Sequence, residues 1–358
     1  MTGPVESGGA AGAGETGGTG TGTAGVRLGR STVTVGRLGL GTAPLGNLFS
    51  AIDDADATAT VDAAWAAGIR YFDTAPHYGL GLAERRLGAA LAERPRSGYT
   101  VSTKVGRRLV PDPDGAGRRD DEGFDVPAVH RRVWDFSADG VRRTLEASLD
   151  RLGLDRVDLL LIHDPEDHQA EALGQAYPAL HELRAQGVIG ALGVGSKRWE
   201  VLHRFVTETD VDAVMLAGRY TLLEQPALDG LLPDCLTRGV SVLNVGVFNS
   251  GLLAVDRPHA GLPYEYAEAP TAIVSRAQAI AEVCARHAVP LPAAALAFAG
   301  AHPAVASVLV GARDAEQITR NAELAAAPTP PDELWAELVE RGLLRPDAPR
   351  PSRAVVSS

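Results

Sequence analysis

The stretch VDLLLIH at 157–163 decides the fold. Its apolar residues run together without alternation, which marks a strand covered on both faces rather than one with a wet face. Just before it, 138–152 places Val141, Leu145, Leu149 and Leu152 on one helical stripe. Just after it come a helical segment at 171–186 and another apolar run, VIGALGVG at 188–195. The same alternation extends in both directions. Upstream, IRYFDT (69–74) and YTVSTKV (99–105) read as strands, with helices at 56–67 and 82–93; the first of these sets Ala57, Val61, Ala64 and Trp65 on one face. Downstream, strands AVMLAG (213–218), VSVLNVGVF (240–248) and VASVLVGA (305–312) alternate with helices at 197–208, 226–238, 271–287 and 292–301, and helices at 314–326 and 331–342 close the series.

The run VRLGRSTVTVGRLGLGT (26–42) alternates in the β manner around a turn at Gly29-Arg30, so it predicts an N-terminal hairpin leading into a first buried strand at 38–42. That makes eight strands, each followed by at least one helix, and predicts an α/β fold of the (β/α)8 barrel type. A doubly wound sheet would need a glycine fingerprint opening a helix after the first strand. GLGTAPLGN (39–47) has the wrong spacing, and Pro44 interrupts the helix start. Two connections are long: 107–136 and 253–270. Both follow strands, so both are expected on the C-terminal face, where barrel active sites lie.

The chain has 358 residues, a net charge of −11 and two cysteines. An acidic surface of this kind argues against nucleic acid and anionic membranes as partners. No apolar stretch is long enough to span a bilayer, and the N-terminus lacks the basic and apolar regions of a signal peptide. Cys235 and Cys284 lie in helical runs without metal-ligand spacing, and are expected as reduced thiols of a cytoplasmic protein. Ten glycines fall in residues 1–25. With almost nothing there to bury, 1–25 reads as a disordered tail, 26–343 as one barrel domain and 344–358 as a second tail.

Four polar residues collect where strands end: Asp73 after strand two, Tyr78 in the loop beyond it, Lys104 on strand three and His163 on strand four. Each alone has an ordinary structural reading, but together they have a chemical use. A phenol is a poor acid or base at neutral pH; a nearby ammonium lowers its pKa. A carboxylate keeps that ammonium charged and in place, and a neutral imidazole donates to a substrate oxygen. Such a set moves a proton on or off oxygen while a hydride moves elsewhere. None of the four carries a hydride, so a nicotinamide cofactor, NAD or NADP, is implied.

At this point GIRYFDTAPHYGLGLAERRLGAAL (68–91) resembles the first signature of the aldo-keto reductases, with Asp73, Thr74, Ala75, Tyr78, Gly79, Glu84, Leu87 and Gly88 in their places. VSTKVGR (101–107) supplies the family lysine as Lys104, and LLLIHDPEDH (159–168) the family histidine as His163. The resemblance covers about 33–326 and implies a catalytic tetrad of Asp73, Tyr78, Lys104 and His163, with Tyr78 as general acid/base. RYFDTAPHYGLGLAERRLG, HDPEDH, AGRYTLLEQ (217–225) and VFNSGLLA (247–254) look like the aldose-dehydrogenase branch, which oxidises free sugars such as L-fucose at the anomeric carbon and which also holds a pyridoxal dehydrogenase.

The resemblance further implies that Gly311, Arg313, Gln317 and Asn321 surround the adenosine part of the cofactor, after strand eight where barrels often bind phosphate. It places Phe248, Asn249, Ser250, Gly251 and Leu252 over the pyrophosphate and Tyr220 on the nicotinamide ring. Many members carry Ser-Asn after strand five and Gln three residues before the stacking Tyr; here Gly195-Ser196 and Ala217 stand instead, leaving Ser196 either a carboxamide ligand or a helix cap. Only Arg313 is an obvious partner for a ribose 2′-phosphate, which favours NAD. His77 reads either as a substrate contact or as solvent-facing, and Trp134 and Phe136 either as sugar-pocket lining or as loop anchors. HDPEDH fits no zinc spacing, so no metal is expected. The alternatives are a carbonyl reductase or pyridoxal dehydrogenase, a nucleotide-binding barrel without turnover, and a metal-dependent hydrolase. The partner is a small sugar or aldehyde.

Overall fold

The apolar runs form eight strands: β1 (Leu38–Gly41), β2 (Tyr71–Asp73), β3 (Thr100–Val105), β4 (Leu159–His163), β5 (Ala191–Ser196), β6 (Ala213–Ala217), β7 (Ser241–Val245) and β8 (Val305–Gly311). Each pairs in parallel with its sequence neighbours, and β8 returns to β1, with Leu309 opposite Gly39, to close an eight-stranded barrel. This computed structural model describes residues 25–351 except 266. Of the expected N-terminal tail, 1–24 lie outside the described residues.

Along each strand the side chains alternate between two cores. Tyr71, Leu159, Leu161, Ala213, Met215, Leu243 and Leu309 point inward and fill the barrel. Their neighbours Phe72, Leu160, Ile162, Val214 and Val242 point outward, under the helices. The interior has room for the ring of Tyr71 because Gly39 faces it: a Cβ there would stand 3.0 Å from Tyr71 Cδ1 and 3.1 Å from Leu309 Cγ. The expected hairpin forms, Val26–Arg27 pairing with Thr34–Val35, and its fully buried Leu28 joins the inner cluster as the plug of one barrel end.

The outer layer comprises α1 (Asp54–Ala66), α2 (Leu82–Leu91), α3 (Ala138–Leu152), α4 (Tyr177–Ala185), α5 (Trp199–Glu208), α6 (Leu231–Arg238), α7 (Thr271–Arg286), α8 (Leu291–Ala299), α9 (Ala315–Ala326) and α10 (Asp332–Glu340). Asp53, Ser137 and Asp314 cap α1, α3 and α9 by accepting backbone N–H bonds. Gly88 lets α2 approach α3: a Cβ would lie 2.2 Å from the Leu152 carbonyl oxygen. Cys235 and Cys284 are buried and unpaired, and burial pushes both thiols up to about 12, leaving them unreactive.

Two sequence expectations need correction. The segment 107–136 is not simply a polar loop: Arg107–Pro111 and His130–Trp134 pair as an antiparallel ribbon, and Phe124 and Val126 pack with Leu80 as a small core of their own. The supposed tail does not begin at 344. Leu344 and Ala348 are buried with Leu343 against the main core, and Arg345 pairs with Asp229 and Asp347. Two short apolar residues in a proline-rich stretch gave no periodicity to read. Residues 352–358 lie outside the described residues.

Candidate active site

The C-terminal ends of β2, β3 and β4 bring Asp73, Lys104 and His163 to one side of the barrel mouth. The turn at 74–81 returns Tyr78 over them, closed by bonds from Tyr78 N–H to the Ala75 carbonyl (3.1 Å) and from Gly81 N–H to that of Pro76 (2.8 Å). Lys104 Nζ donates to Asp73 Oδ2 at 2.6 Å, to the Thr74 carbonyl at 3.0 Å and to Tyr78 Oη at 3.1 Å. All three of its protons are therefore committed. The His163 ring lies edge-on to the Tyr78 ring, centroids 6.0 Å apart at 88°. The four expected residues come together.

Beneath them lies a chain that the sequence did not disclose. Ser102 Oγ donates to Asp73 Oδ1 at 2.7 Å and stands 3.0 Å from Tyr71 Oη. Serine has one proton and a carboxylate has none to give, so Tyr71 donates to Ser102. Both carboxylate oxygens of Asp73 are thus held, one by a hydroxyl from the barrel interior and one by Lys104, with Tyr71, Ser102, Asp73 and Lys104 all buried. Period-two alternation on β3 could have pointed Ser102 inward, but a serine two residues before Lys104 carries no signal by itself.

The electrostatics separate the roles. Burial works to lower the Lys104 pKa, but Asp73 and the Tyr78 oxygen outweigh it and hold the ammonium charged. Burial of the Tyr78 phenol pushes its pKa up to about 12, against the pull of Lys104. The sequence argument had only the lysine; enclosure wins in the structure, so the resting phenol keeps its proton. His163 is held well below the usual imidazole range by burial and by Arg107 and Lys104, and His77 falls to about 2 through burial and the guanidiniums of Arg107 and Arg132. Both rings are neutral.

His77 is at the site, its ring 5.6 Å from that of His163 and against Phe124. Phe136 is buried and stacks on Trp134. The Arg107 guanidinium also lies against Trp134, 4.5 Å from the ring centroid. Trp134 thus braces Arg107 while much of its own surface stays exposed, and buried Phe136 anchors it. Ser196 Oγ closes the turn ahead of α5, accepting from Arg198 N–H at 2.8 Å, and donates to Glu166 at 2.6 Å; α5 itself has no side-chain cap. Tyr220 is not at the mouth: it is fully buried against Phe298 (4.9 Å) and His302 (5.8 Å) in the layer under the helices. The residue whose side chain tops the inner core on the next strand is Val245. A motif position cannot show on which side of the barrel wall a rim residue points.

Beyond β7, Asn249, Ser250 and Gly251 are successive positive-φ residues, at 48°, 60° and 102°. Leu252 is buried, Phe248 half-buried and Ser250 exposed. Asn249 donates to Glu224 at 3.2 Å, while its Oδ1 is buried without a partner. Glu224 also receives Tyr264 Oη and Arg219, tying the loop to the ribbon Pro263–Tyr264/Ala267–Glu268. Gly311, the last residue of β8, is exposed at the rim; Arg313 lies just ahead of the α9 cap, and Gln317 and Asn321 follow at four-residue spacing on the helix. The unpartnered Asn249 oxygen and the exposed polar side chains at the head of α9 fit a dinucleotide.

A parallel (β/α)8 barrel with this tetrad at its mouth defines an oxidoreductase of the aldo-keto reductase class. The model of the Aldo/keto reductase family matches residues 37–340, and the chain belongs to that family. Among individual proteins, it is 50% identical over 310 residues to a D-threo-aldose 1-dehydrogenase of a Pseudomonas species, covering 86% of this chain and 94% of that one. It is 41% identical over 335 residues to pyridoxal 4-dehydrogenase of Microbacterium luteolum, covering 88% and 97%. Among solved structures, an aldo-keto reductase of Bacillus halodurans in its holo form superposes with a TM-score of 0.71 at 26% identity, covering 89% of this chain and 95% of that one.

Proposed function

We propose that this oxidoreductase oxidises a free aldose at its anomeric carbon to the lactone, with NAD as cofactor, and that Tyr78 is its general acid/base. The observation that carries the reading is the Lys104 ammonium bonded at once to Asp73 and to the Tyr78 oxygen. A bound nicotinamide dinucleotide supplies the hydride acceptor. The protein's own residues manage the proton. Neutral His163 donates to the reacting oxygen and orients it toward Tyr78. As Tyr78 takes the proton of the anomeric hydroxyl, Lys104 steadies the phenolate character that this demands. Asp73, gripped from below by Ser102, keeps the ammonium at the phenol oxygen.

Half identity to an aldose dehydrogenase along nearly its whole length supports the sugar reading; the pyridoxal 4-dehydrogenase likeness keeps pyridoxal as a second candidate. Phe248–Leu252, Ser196, Gly311, Arg313, Gln317 and Asn321 are the residues we assign to the cofactor. Val245 replaces Tyr220 as the side chain facing the nicotinamide. NAD is favoured because Arg313 is the one obvious cationic partner for a ribose 2′-phosphate, and the residue after it, Asp314, is acidic.

The test follows reduced nicotinamide by its near-ultraviolet absorbance, with NAD or NADP and a panel of aldoses plus pyridoxal. Turnover of an aldose is expected, and Tyr78→Phe should lose about 10³-fold in kcat while still binding cofactor. A Tyr78→Phe variant that turns over normally would refute the assigned role.

A further inference from the structure

Building on the aldose reading above, we infer that Asp164, held by Arg107, recognises the substrate hydroxyl on the carbon next to the reacting one. Asp164 follows His163 directly and plays no part in the tetrad. Its φ of 44° is left-handed, a conformation that side-chain residues rarely hold without a reason. Its N–H is tied to the Gly195 carbonyl at 2.9 Å, which sets the carboxylate at the mouth.

One oxygen, Oδ2, is bonded by Arg107. That guanidinium is itself held, lying against Trp134, which stacks on buried Phe136, and pairing with Glu122 at 3.4 Å. Among the described residues no hydrogen bond reaches Asp164 Oδ1, and the side chain is 32% exposed. An anionic acceptor therefore faces the mouth with lone pairs to spare.

Its place identifies what it reads. The reacting oxygen must lie between Tyr78 Oη and His163, and Asp164 Oδ2 is 3.6 Å from His163 Nε2. In a cyclic aldose the neighbouring hydroxyl lies about a hydrogen-bond length from the anomeric oxygen, on the carbon called C2. A carboxylate beside His163 meets that hydroxyl and accepts a hydrogen bond from it, while the guanidinium offers the complementary donor. Such a pair matches a neutral polyol. It repels a phosphate or carboxylate at that position, and an unsubstituted aldehyde leaves its open acceptor unmet.

The experiment compares kcat/KM for an aldose and for its 2-deoxy analogue in the wild type, Asp164→Asn and Asp164→Gly. Both replacements tolerate the left-handed backbone, so folding is not at issue. A site enclosing a buried partner for a hydroxyl rejects the analogue lacking it by far more than a half-open one does; here a preference of about 100-fold is expected. Asp164→Gly should lose activity on the aldose, retain that on the 2-deoxy sugar and bring the ratio within about threefold, with Asp164→Asn between. The proposal is overturned if the wild type does not discriminate, if the ratio survives in Asp164→Gly, or if both substrates slow equally, which would mean that Asp164 acts through His163. A wild type that oxidises neither sugar overturns the aldose reading itself, a result distinct from the other three.

Discussion

Ser102→Ala tests the buried chain under the tetrad. The substitution removes the donor to Asp73 Oδ1 and strands the Tyr71 hydroxyl. A hydrogen bond to a charged group is worth about 1.5–3 kcal/mol, and an unsatisfied buried hydroxyl costs about 1–3 kcal/mol. Since the two losses share one oxygen, we expect about 3 kcal/mol of destabilisation rather than their full sum. Tyr71→Phe alone removes one neutral bond, for about 1 kcal/mol. Placed on Ser102→Ala it should instead restore about 1 kcal/mol, since the stranded group is gone, so the coupling between the two sites is about 2 kcal/mol. Urea unfolding of the four proteins measures this cycle. In parallel, kcat of Ser102→Ala should fall about tenfold as Asp73 loses one of its two anchors, while Ser102→Thr restores it. Additive effects, or a cost for Ser102→Ala below about 0.5 kcal/mol, would refute the chain as drawn.

Further expectations follow from the same geometry. Burial, opposed by Arg107, lifts the Asp164 carboxyl to about 6; below that pH the acceptor is protonated. Lowering the pH from 8 to 5 should therefore reduce kcat/KM for an aldose about tenfold more than for its 2-deoxy analogue; parallel profiles would refute this. Tyr78 keeps its proton up to about 12, and oxidation needs the unprotonated phenol. The rate of oxidation should thus climb with pH from 6 to 9, whereas aldehyde reduction, which uses the protonated phenol, should not. Gly88→Ala forces a Cβ against the Leu152 carbonyl and should cost about 1–3 kcal/mol in thermal unfolding without changing the pH profile.

The barrel was legible because its signal is repeated. Eight strand-like runs, the clearest of them LLLIH, each separated from the next by a helical stripe, leave few architectures that could bury them all. Asp73, Tyr78, Lys104 and His163 were legible because strand ends in a parallel barrel share one face. What escaped depends on which side of a wall a residue points. Tyr220 and Val245 are both near the rim, yet only the latter joins the inner core. The role of Arg107 was not legible because the ribbon that aims it pairs residues distant in sequence, Arg107 with Trp134 and Pro111 with His130. Asp164 was visible within HDPEDH, but a cluster in sequence says nothing of partners. In the structure the cluster disperses, Asp164 to Arg107, Glu166 to Ser196 and His168 to Glu171.

The tetrad is drawn from three adjacent strands, β2 to β4, and their immediate turns. The other five strand ends carry none of it. A mutation in the loops beyond β6 to β8 can therefore reshape what enters the mouth without touching the proton-handling atoms, because none of those atoms is carried by these loops. Such a division of labour lets a lineage explore new substrates with its chemistry intact. It gives a physical reason why two proteins as close to this chain as an aldose 1-dehydrogenase and a pyridoxal 4-dehydrogenase carry such different names.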